Sequence, residues 1–217
     1  MIKIENIKVY NIAEAVFSAR NAHNSWDKSD SDLEHDILGK NDIELARKLY
    51  KAGSEHRKYL RQIFVKMDVH APLYWWKEMD TYKVGTTSDS CSTMHTIHKK
   101  EFTLDDFSNE HLGDDSDDTQ VWYNEEYPNT EREVLSFIVD ALNTYRADFL
   151  RTKDKKYWWK MIQLLPSSYN QRRTITMNYE NVMNIINQRE GHKLDEWRTM
   201  VETLRTLPYV KEIRGEA

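Results

Sequence analysis

The amino-acid sequence predicts an α+β fold in which helices pack against a small sheet. Two segments near the N-terminus alternate in the manner of strands, and from Asn129 onwards the pattern is almost wholly helical. Only six glycines and four prolines occur in 217 residues, which is typical of long helices joined by few tight turns. We expect a single domain over residues 1–217, with an acidic insertion at about residues 102–128, because one core commonly extends to roughly 200 residues.

Composition excludes several classes of function. With 39% hydrophobic and 12% aromatic residues, the chain can form a packed core. The net charge of −5 argues against a nucleic-acid partner, which needs a basic face. The single cysteine excludes an internal disulfide and suits a reducing compartment. The sequence begins without a signal-peptide core, and no apolar run approaches the roughly 20 residues of a membrane span, so we expect a cytoplasmic protein with no membrane partner.

The two predicted strands rest on alternation of apolar and polar residues. Residues 2–10 alternate almost regularly, with a break near Asn6. The clearer strand is RQIFVKMDV, whose alternating apolar residues are Ile63, Val65, Met67 and Val69.

Helix boundaries follow from capping patterns. Asn41 with Glu44 three residues later matches a capping box, which predicts a helix over Asp42–Ala52 that ends at Gly53. The polar segment over residues 21–36 is predicted to be a loop. The other predicted helices are Ile12–Asn21, Ala71–Tyr82 with Pro72 in its first turn, Thr130–Leu150 with a further stretch through Leu165, Thr176–Arg189, and Leu194–Leu207.

One predicted helix carries amides and a guanidinium at helical spacing. In NYENVMNIINQR these residues are Asn178, Asn181 or Asn184, Gln188 and Arg189. Such a face offers hydrogen-bond donors and acceptors along its length and a cation at its end, which suits a planar ligand such as a base or a flavin ring. A solvated or interfacial helix face is the alternative.

The stretch WWKEMDTYKVGTTSDSCSTMHTIH combines residue types that occur in active sites. His95 and His98 share a helical face, but the neighbouring sequence offers no third ligand, so no metal site is expected. Cys91 is expected to be a buried, unreactive thiol. In the acidic region, counting from Asp114 puts Thr119 and Glu125 where a calcium loop needs its glycine and glutamate, so that motif fails.

The order and spacing of several segments resemble the flavin-dependent thymidylate synthase family. Gly53, Glu55 and His56 match its step into a strand, and PLYWWKEM matches the helix before its signature. Leu165-Pro166 and the asparagines of the polar-faced helix fall at the family's spacings, as does Arg189. Glu196 and Arg198 match the family's last helix. The resemblance covers most of residues 1–100 and 157–205, and it implies a small antiparallel sheet with long helices.

The resemblance also implies ligands and residue roles. Members of the family are homotetramers that bind FAD and use NADPH and methylenetetrahydrofolate to methylate dUMP reductively to dTMP. By position, Arg189 is the catalytic residue that polarises the uracil. Ser90 is expected on the nucleotide phosphate, and Lys77 and Ser92 stand at two further substrate-binding positions. The cofactor-binding positions correspond to His56, Asn178 and Asn184.

The signature itself departs from the family. Asp80-Thr81-Tyr82 replaces Arg-His-Arg, Lys77 replaces a glutamine that faces the pyrimidine, and Ser92 and Ile162 replace phosphate-binding arginines. Anionic phosphates usually need guanidinium groups or helix N-termini. Asp80 is therefore expected to repel an FAD pyrophosphate, and compensation is expected only from Lys77, Lys83, Arg172 or Arg173.

Two hypotheses follow. The chain is either a divergent protein of this fold that binds a pyrimidine nucleotide around Arg189, with FAD binding weakened and activity altered or lost, or a non-catalytic oligomeric scaffold or nucleotide sensor with the same fold. If the activity is kept, the chain is a flavin-dependent methyltransferase that needs NADPH and methylenetetrahydrofolate.

Overall fold

The structure is a computed structural model that describes residues 2–113 and 130–216. Most of the acidic insertion, including the rejected calcium-loop match, lies outside these residues. The strands are β1 (Lys3–Tyr10), β2 (Phe64–Pro72), β3 (Thr86–Ser90) and β4 (Asn170–Asn178). The helices are α1 (Ile12–Ala19), α2 (Lys40–Ala52), α3 (Leu73–Met79), α4 (Thr93–Thr96), α5 (Glu131–Thr152), α6 (Lys155–Leu164), α7 (Tyr179–Arg189), α8 (Asp195–Arg205) and α9 (Val210–Arg214).

The four strands of the described residues form one antiparallel sheet in the order β1-β2-β4-β3. The backbone N–H of Tyr179 donates to Ile63 O, and the N–H of Leu73 donates to Tyr169 O, which is the register of an antiparallel β2–β4 pair. The predicted α+β class with a small antiparallel sheet is confirmed. The sheet has two more strands than the sequence pattern indicated.

Contacts divide the described chain into two compact units. Within the described residues, the first unit comprises residues 70–78, 90–113 and 130–172, and the second comprises residues 2–69, 79–89 and 173–216. The prediction of a single domain stays a prediction.

The first unit has its own apolar cluster. Helices α5 and α6 form a hairpin, in which Lys153 ends α5 in the left-handed conformation and Asp154 caps α6. The buried residues of the cluster are Ile97, Phe102, Phe107, Leu135, Val139, Leu142 and Met161. The part of the predicted acidic insertion that the structure describes therefore supplies two core phenylalanines.

The second unit buries the apolar face of the sheet. The four alternating residues of the predicted strand RQIFVKMDV, Ile63, Val65, Met67 and Val69, are each fully buried. Ile175 and Met177 of β4 and Trp197 of α8 belong to the same unit and are also fully buried. Because Val65, Met67 and Val69 are two apart along β2, the alternation in the sequence predicted this strand correctly.

Several predicted boundaries were wrong. The helix predicted at Ala71 begins at Leu73 and ends at Met79, since Pro72 is the last residue of β2. The helix predicted at Thr176 begins at Tyr179, because the residues before it belong to β4. The stretch WWKEMDTYKVGTTSDSCSTMHTIH contains the end of α3, strand β3 and helix α4.

The predicted capping box of α2 is also absent from the described residues, since Gly39 occupies the N-cap position. The carboxylate of Asp30 accepts from the N–H groups of Asn41 and Asp42 instead, at 3.0 and 3.3 Å. A side chain from the preceding loop thus satisfies the first turn of this helix. Gly53 does end α2, as predicted.

Candidate functional site

At the C-terminal end of α7, Arg189 contacts two aromatic rings. The guanidinium carbon lies 4.5 Å from the centre of the Trp197 ring and 5.6 Å from that of Tyr82. Its Nε donates to the hydroxyl of Tyr82 at 3.0 Å, and Nη1 lies 3.0 Å from Nε2 of His192. Stacking and hydrogen bonding together fix the plane of the guanidinium, which a lysine at this position would not reproduce.

Tyr82 connects the signature segment to α7. Its hydroxyl donates to Gln188 Oε1 at 2.9 Å and accepts from Arg189. Tyr82 is thus the point where the segment after α3 joins the end of α7. Because both functions of a phenol oxygen are used, the ring is held in one orientation.

The turn after Tyr82 is fastened to the start of α7 by two asparagines. Asn181 Nδ2 donates to Val84 O and to Thr86 Oγ1, at 2.5 and 2.8 Å. The backbone N–H of Asn178 donates to Gly85 O at 3.0 Å, while its side-chain oxygen accepts from Asn181 N and caps the helix. These amides hold the chain's own turn, so their regular spacing has a structural cause.

A cavity of about 280 Å³ opens beside this turn and Arg189. It is lined by Thr81, Tyr82, Lys83, Val84, Asn181, Asn184, Gln188 and Arg189. None of these eight residues is acidic, and two are cationic. The cavity therefore combines amide groups, one aromatic ring and positive charge.

The structure brings two of the predicted site residues into this cavity, namely Arg189 and Asn184. Asn178 lies next to the turn as a helix cap. His56 lines a different cavity of about 430 Å³, where Nε2 is 3.7 Å from Glu55 Oε1. The cofactor-binding roles of these three residues stay predictions.

The remaining predicted residues belong to the first unit. Lys77 is exposed on α3, Ser90 is the exposed last residue of β3, and Ser92 occupies the N-cap position of α4. The carbonyl of Ser92 accepts from the hydroxyl of Thr96 at 2.7 Å. Their substrate-binding roles also stay predictions.

The acidic residue of the altered signature has a cationic neighbour. Asp80 Oδ1 accepts from Arg173 Nη1 at 2.8 Å, and the Arg173 side chain is only 15% exposed. The pair offsets the negative charge that replaces a signature arginine. Of the four residues expected to compensate, Arg173 therefore serves this carboxylate.

His95, His98 and Cys91 are not among the residues that line this cavity. His95 is exposed, and the His98 ring packs edge-on against Phe149 at 5.0 Å between centroids. Cys91 is exposed, so the prediction of a buried thiol was wrong. The described residues contain no group of three or more His, Cys, Asp or Glu that could hold a metal ion.

Sequence reasoning missed the residues that surround Arg189. Tyr82 was identified only as a replaced arginine, and His192 and Trp197 were not singled out. The aromatic and cationic residue types gave a weak signal, but pairing them needs the position of the turn on α7. That position depends on contacts over about a hundred residues of sequence, such as Tyr82 with Gln188.

The chain is an α+β protein with a four-stranded antiparallel sheet in its described residues. Strand β4 continues directly into α7, which ends at Arg189. Solved structures of this class match nearly the whole chain. A crystal structure of thymidylate synthase X (ThyX) from Helicobacter pylori with FAD and dUMP has a TM-score of 0.68 and 17% identity, covering 99% of this chain and 97% of that one. Another H. pylori complex of flavin-dependent thymidylate synthase with FAD and dUMP has a TM-score of 0.64 and 16% identity, covering 98% and 96%.

The predicted resemblance is confirmed at the level of the fold: the chain has a divergent flavin-dependent thymidylate synthase-like fold. No protein-family model and no curated protein matches the sequence. Across the described residues, no helix is both long and apolar enough to cross a membrane.

Proposed function

We propose that the chain binds a pyrimidine nucleotide in the cavity beside Arg189, and that any methylation of dUMP is altered or lost. The observation that carries the proposal is the fixed guanidinium of Arg189 at the edge of a cavity without acidic residues. Both solved structures described above hold dUMP, which supports a pyrimidine nucleotide as the ligand.

Arg189 would act through charge-assisted hydrogen bonds to a carbonyl oxygen of the base. A guanidinium that is hydrogen-bonded to Tyr82 and packed against Trp197 reaches the ligand already oriented, so less side-chain entropy is lost on binding. Such an interaction would stabilise negative charge developing on the pyrimidine. Asn184 and Gln188 add amide donors and acceptors beside it.

FAD fits the described residues poorly. Arg173 neutralises the Asp80 carboxylate, which would otherwise repel a pyrophosphate. Because its guanidinium is used in this ion pair, Arg173 does not supply a positive charge for the pyrophosphate. The side-chain oxygen of Asn178 is already engaged in capping α7. We therefore propose weak FAD binding and derive no step through the flavin. NADPH and methylenetetrahydrofolate would be required only for the complete methylation reaction.

The second candidate function is a non-catalytic oligomeric scaffold or nucleotide sensor, and the altered signature favours it. Asp80 and Ser92 stand where the family has arginines, and Asp80 is committed to an internal ion pair. In a sensor, the nucleotide would bind without being converted. In a scaffold, Arg189 would serve only to hold Tyr82 and α8.

Isothermal titration calorimetry with dUMP tests the proposal. Replacing Arg189 with alanine should weaken binding about tenfold or more, since a hydrogen bond to a charged group contributes roughly 1.5–3 kcal/mol. Arg151→Ala is the matched control, because it removes the same charge from an exposed ion pair of α5. Wild-type protein that does not bind dUMP, or equal affinities of the wild type and the Arg189 variant, would contradict the proposal.

A further inference from the structure

We propose that Lys83 binds the phosphate of a nucleotide held in the Arg189 cavity. The inference rests on the proposed function and extends it to a second residue. Lys83 stands in the altered signature, between the tyrosine that holds Arg189 and the valine that Asn181 holds.

The position of Lys83 is fixed although its side chain is exposed. On one side, Tyr82 is hydrogen-bonded to Gln188 and Arg189. On the other side, Val84 O accepts from Asn181 at 2.5 Å. The backbone at Lys83 is thus anchored at both flanks to α7, and its ammonium can move only within the reach of its four-carbon stem.

The charges around the cavity favour an anion at this position. Lys83 and Arg189 are the cations among the eight lining residues. Within the part of the chain that the structure describes, the ammonium of Lys83 forms no ion pair, whereas Arg173 is committed to Asp80. A phosphate near Lys83 would therefore meet a cation that no internal carboxylate neutralises.

Two features of the cavity define the ligand class. Arg189, Asn184 and Gln188 suit a planar base with carbonyl and N–H groups, while Lys83 suits a terminal phosphate.

Calorimetric titrations with dUMP and with deoxyuridine separate the contribution of the phosphate from that of the base and sugar. Wild-type protein should bind dUMP about tenfold more tightly than deoxyuridine, because one screened ion pair is worth about 1–2 kcal/mol. The Lys83→Ala variant should lose this preference and keep its affinity for deoxyuridine. The Lys83→Arg variant should retain the preference, and Lys48→Ala, on the exposed side of α2, should behave as the wild type.

Each outcome bears on a different statement. If the wild type binds dUMP and deoxyuridine equally, or if Lys83→Ala retains the preference, the role of Lys83 is overturned while the base site stands. If neither compound binds to the wild type, the proposed function itself fails. A dUMP affinity that falls with rising salt in the wild type, but not in Lys83→Ala, would support the ion pair independently.

Discussion

At the scale of single residues, Asp42 organises the polar loop between α1 and α2. Its side chain is fully buried and accepts from Arg20 Nε at 2.6 Å. The hydroxyls of Ser29 and Ser31 donate to its other oxygen, each at 2.5 Å. A buried carboxylate is tolerated only when it is paired and hydrogen-bonded in this way. The loop was predicted from its polarity alone, and in the structure the buried Asp42 carboxylate holds it in place through these hydrogen bonds.

Replacing Asp42 with asparagine should destabilise the protein by about 3–5 kcal/mol, because the buried Arg20 would lose its countercharge. Urea denaturation followed by circular dichroism measures the difference. Asp148→Asn, which breaks an exposed ion pair with Arg151, should change stability very little. A similarly small effect at Asp42 would mean that water or another group compensates Arg20.

Asp30 gives the loop a dependence on pH. The backbone N–H of Asn41, and after it that of Asp42, lowers the pKa of the Asp30 carboxyl below its usual value. A carboxyl whose folded pKa is lowered stabilises the folded state above its unfolded pKa, near 3.9, and this contribution disappears as the pH falls through the folded pKa. Asp30→Ala should therefore lower the melting temperature at pH 7. The difference from the wild type should shrink progressively below about pH 4, and a pH-independent difference would contradict the helix-capping role of the charge.

At the scale of elements, the turn at residues 83–86 is held rigidly against helix α7 by hydrogen bonds. Gly85 has a φ of 75°, in the left-handed region. A Cβ at this position would lie 2.2 Å from Asn178 Nδ2. The glycine is thus required both by backbone conformation and by the close approach of the helix cap. Moving the turn would also move Lys83 and Tyr82 at the cavity.

Gly85→Ala should destabilise the protein by more than the roughly 1–2 kcal/mol that the left-handed conformation alone costs, and it should also weaken dUMP binding. Gly191→Ala is a matched control, because Gly191 has a similar φ of 72° and a Cβ there would meet nothing within 4 Å. Chemical denaturation and calorimetry of the two variants separate conformational strain from the clash. Equal losses in both variants would show that the Asn178 contact is not restrictive.

The sequence predicted some elements better than others. The difference depends on whether the burial of an element leaves a regular pattern of apolar residues in the sequence. Strand β2 was predicted because Ile63 to Val69 alternate on a strand that buries one full face. Strand β3 was missed because its residues are almost all exposed and it pairs with a strand about eighty residues later. The start of α7 was misplaced because Thr176 and Asn178 fit both helical spacing and a strand end. The helical spacing predicted that Asn184 and Arg189 lie on one helix, and both line the cavity, whereas Tyr82 needed the three-dimensional position of the turn.

At the scale of the whole molecule, apolar side chains remain exposed on neighbouring strands of the second unit. Phe64 of β2 is 43% exposed, and Ile7 and Tyr10 of β1 are 37% and 48% exposed. In the sheet order, β1 is an edge strand, whose backbone groups on one side have no partner strand. Ile7 and Tyr10 are three residues apart, so their side chains leave β1 on opposite faces. We propose the exposed face around Phe64 as the surface through which the protein forms a homo-oligomer, for which the resemblance implies a tetramer.

Introducing a charge into this surface tests the assembly. Phe64→Glu should convert the oligomer to smaller species, because burying a carboxylate without a partner opposes association. Phe137→Glu is the control: Phe137 of α5 is 69% exposed, so its replacement has the same chemistry outside the proposed interface. Size-exclusion chromatography with light scattering should give about four times the chain mass for the wild type and for Phe137→Glu. A monomeric wild type would exclude the proposed oligomer, and loss of assembly only in Phe137→Glu would move the interface to α5. If a second copy of the chain completes the Arg189 cavity, the dissociated Phe64→Glu protein should also bind dUMP more weakly. Unchanged affinity would show that the cavity is complete within one chain.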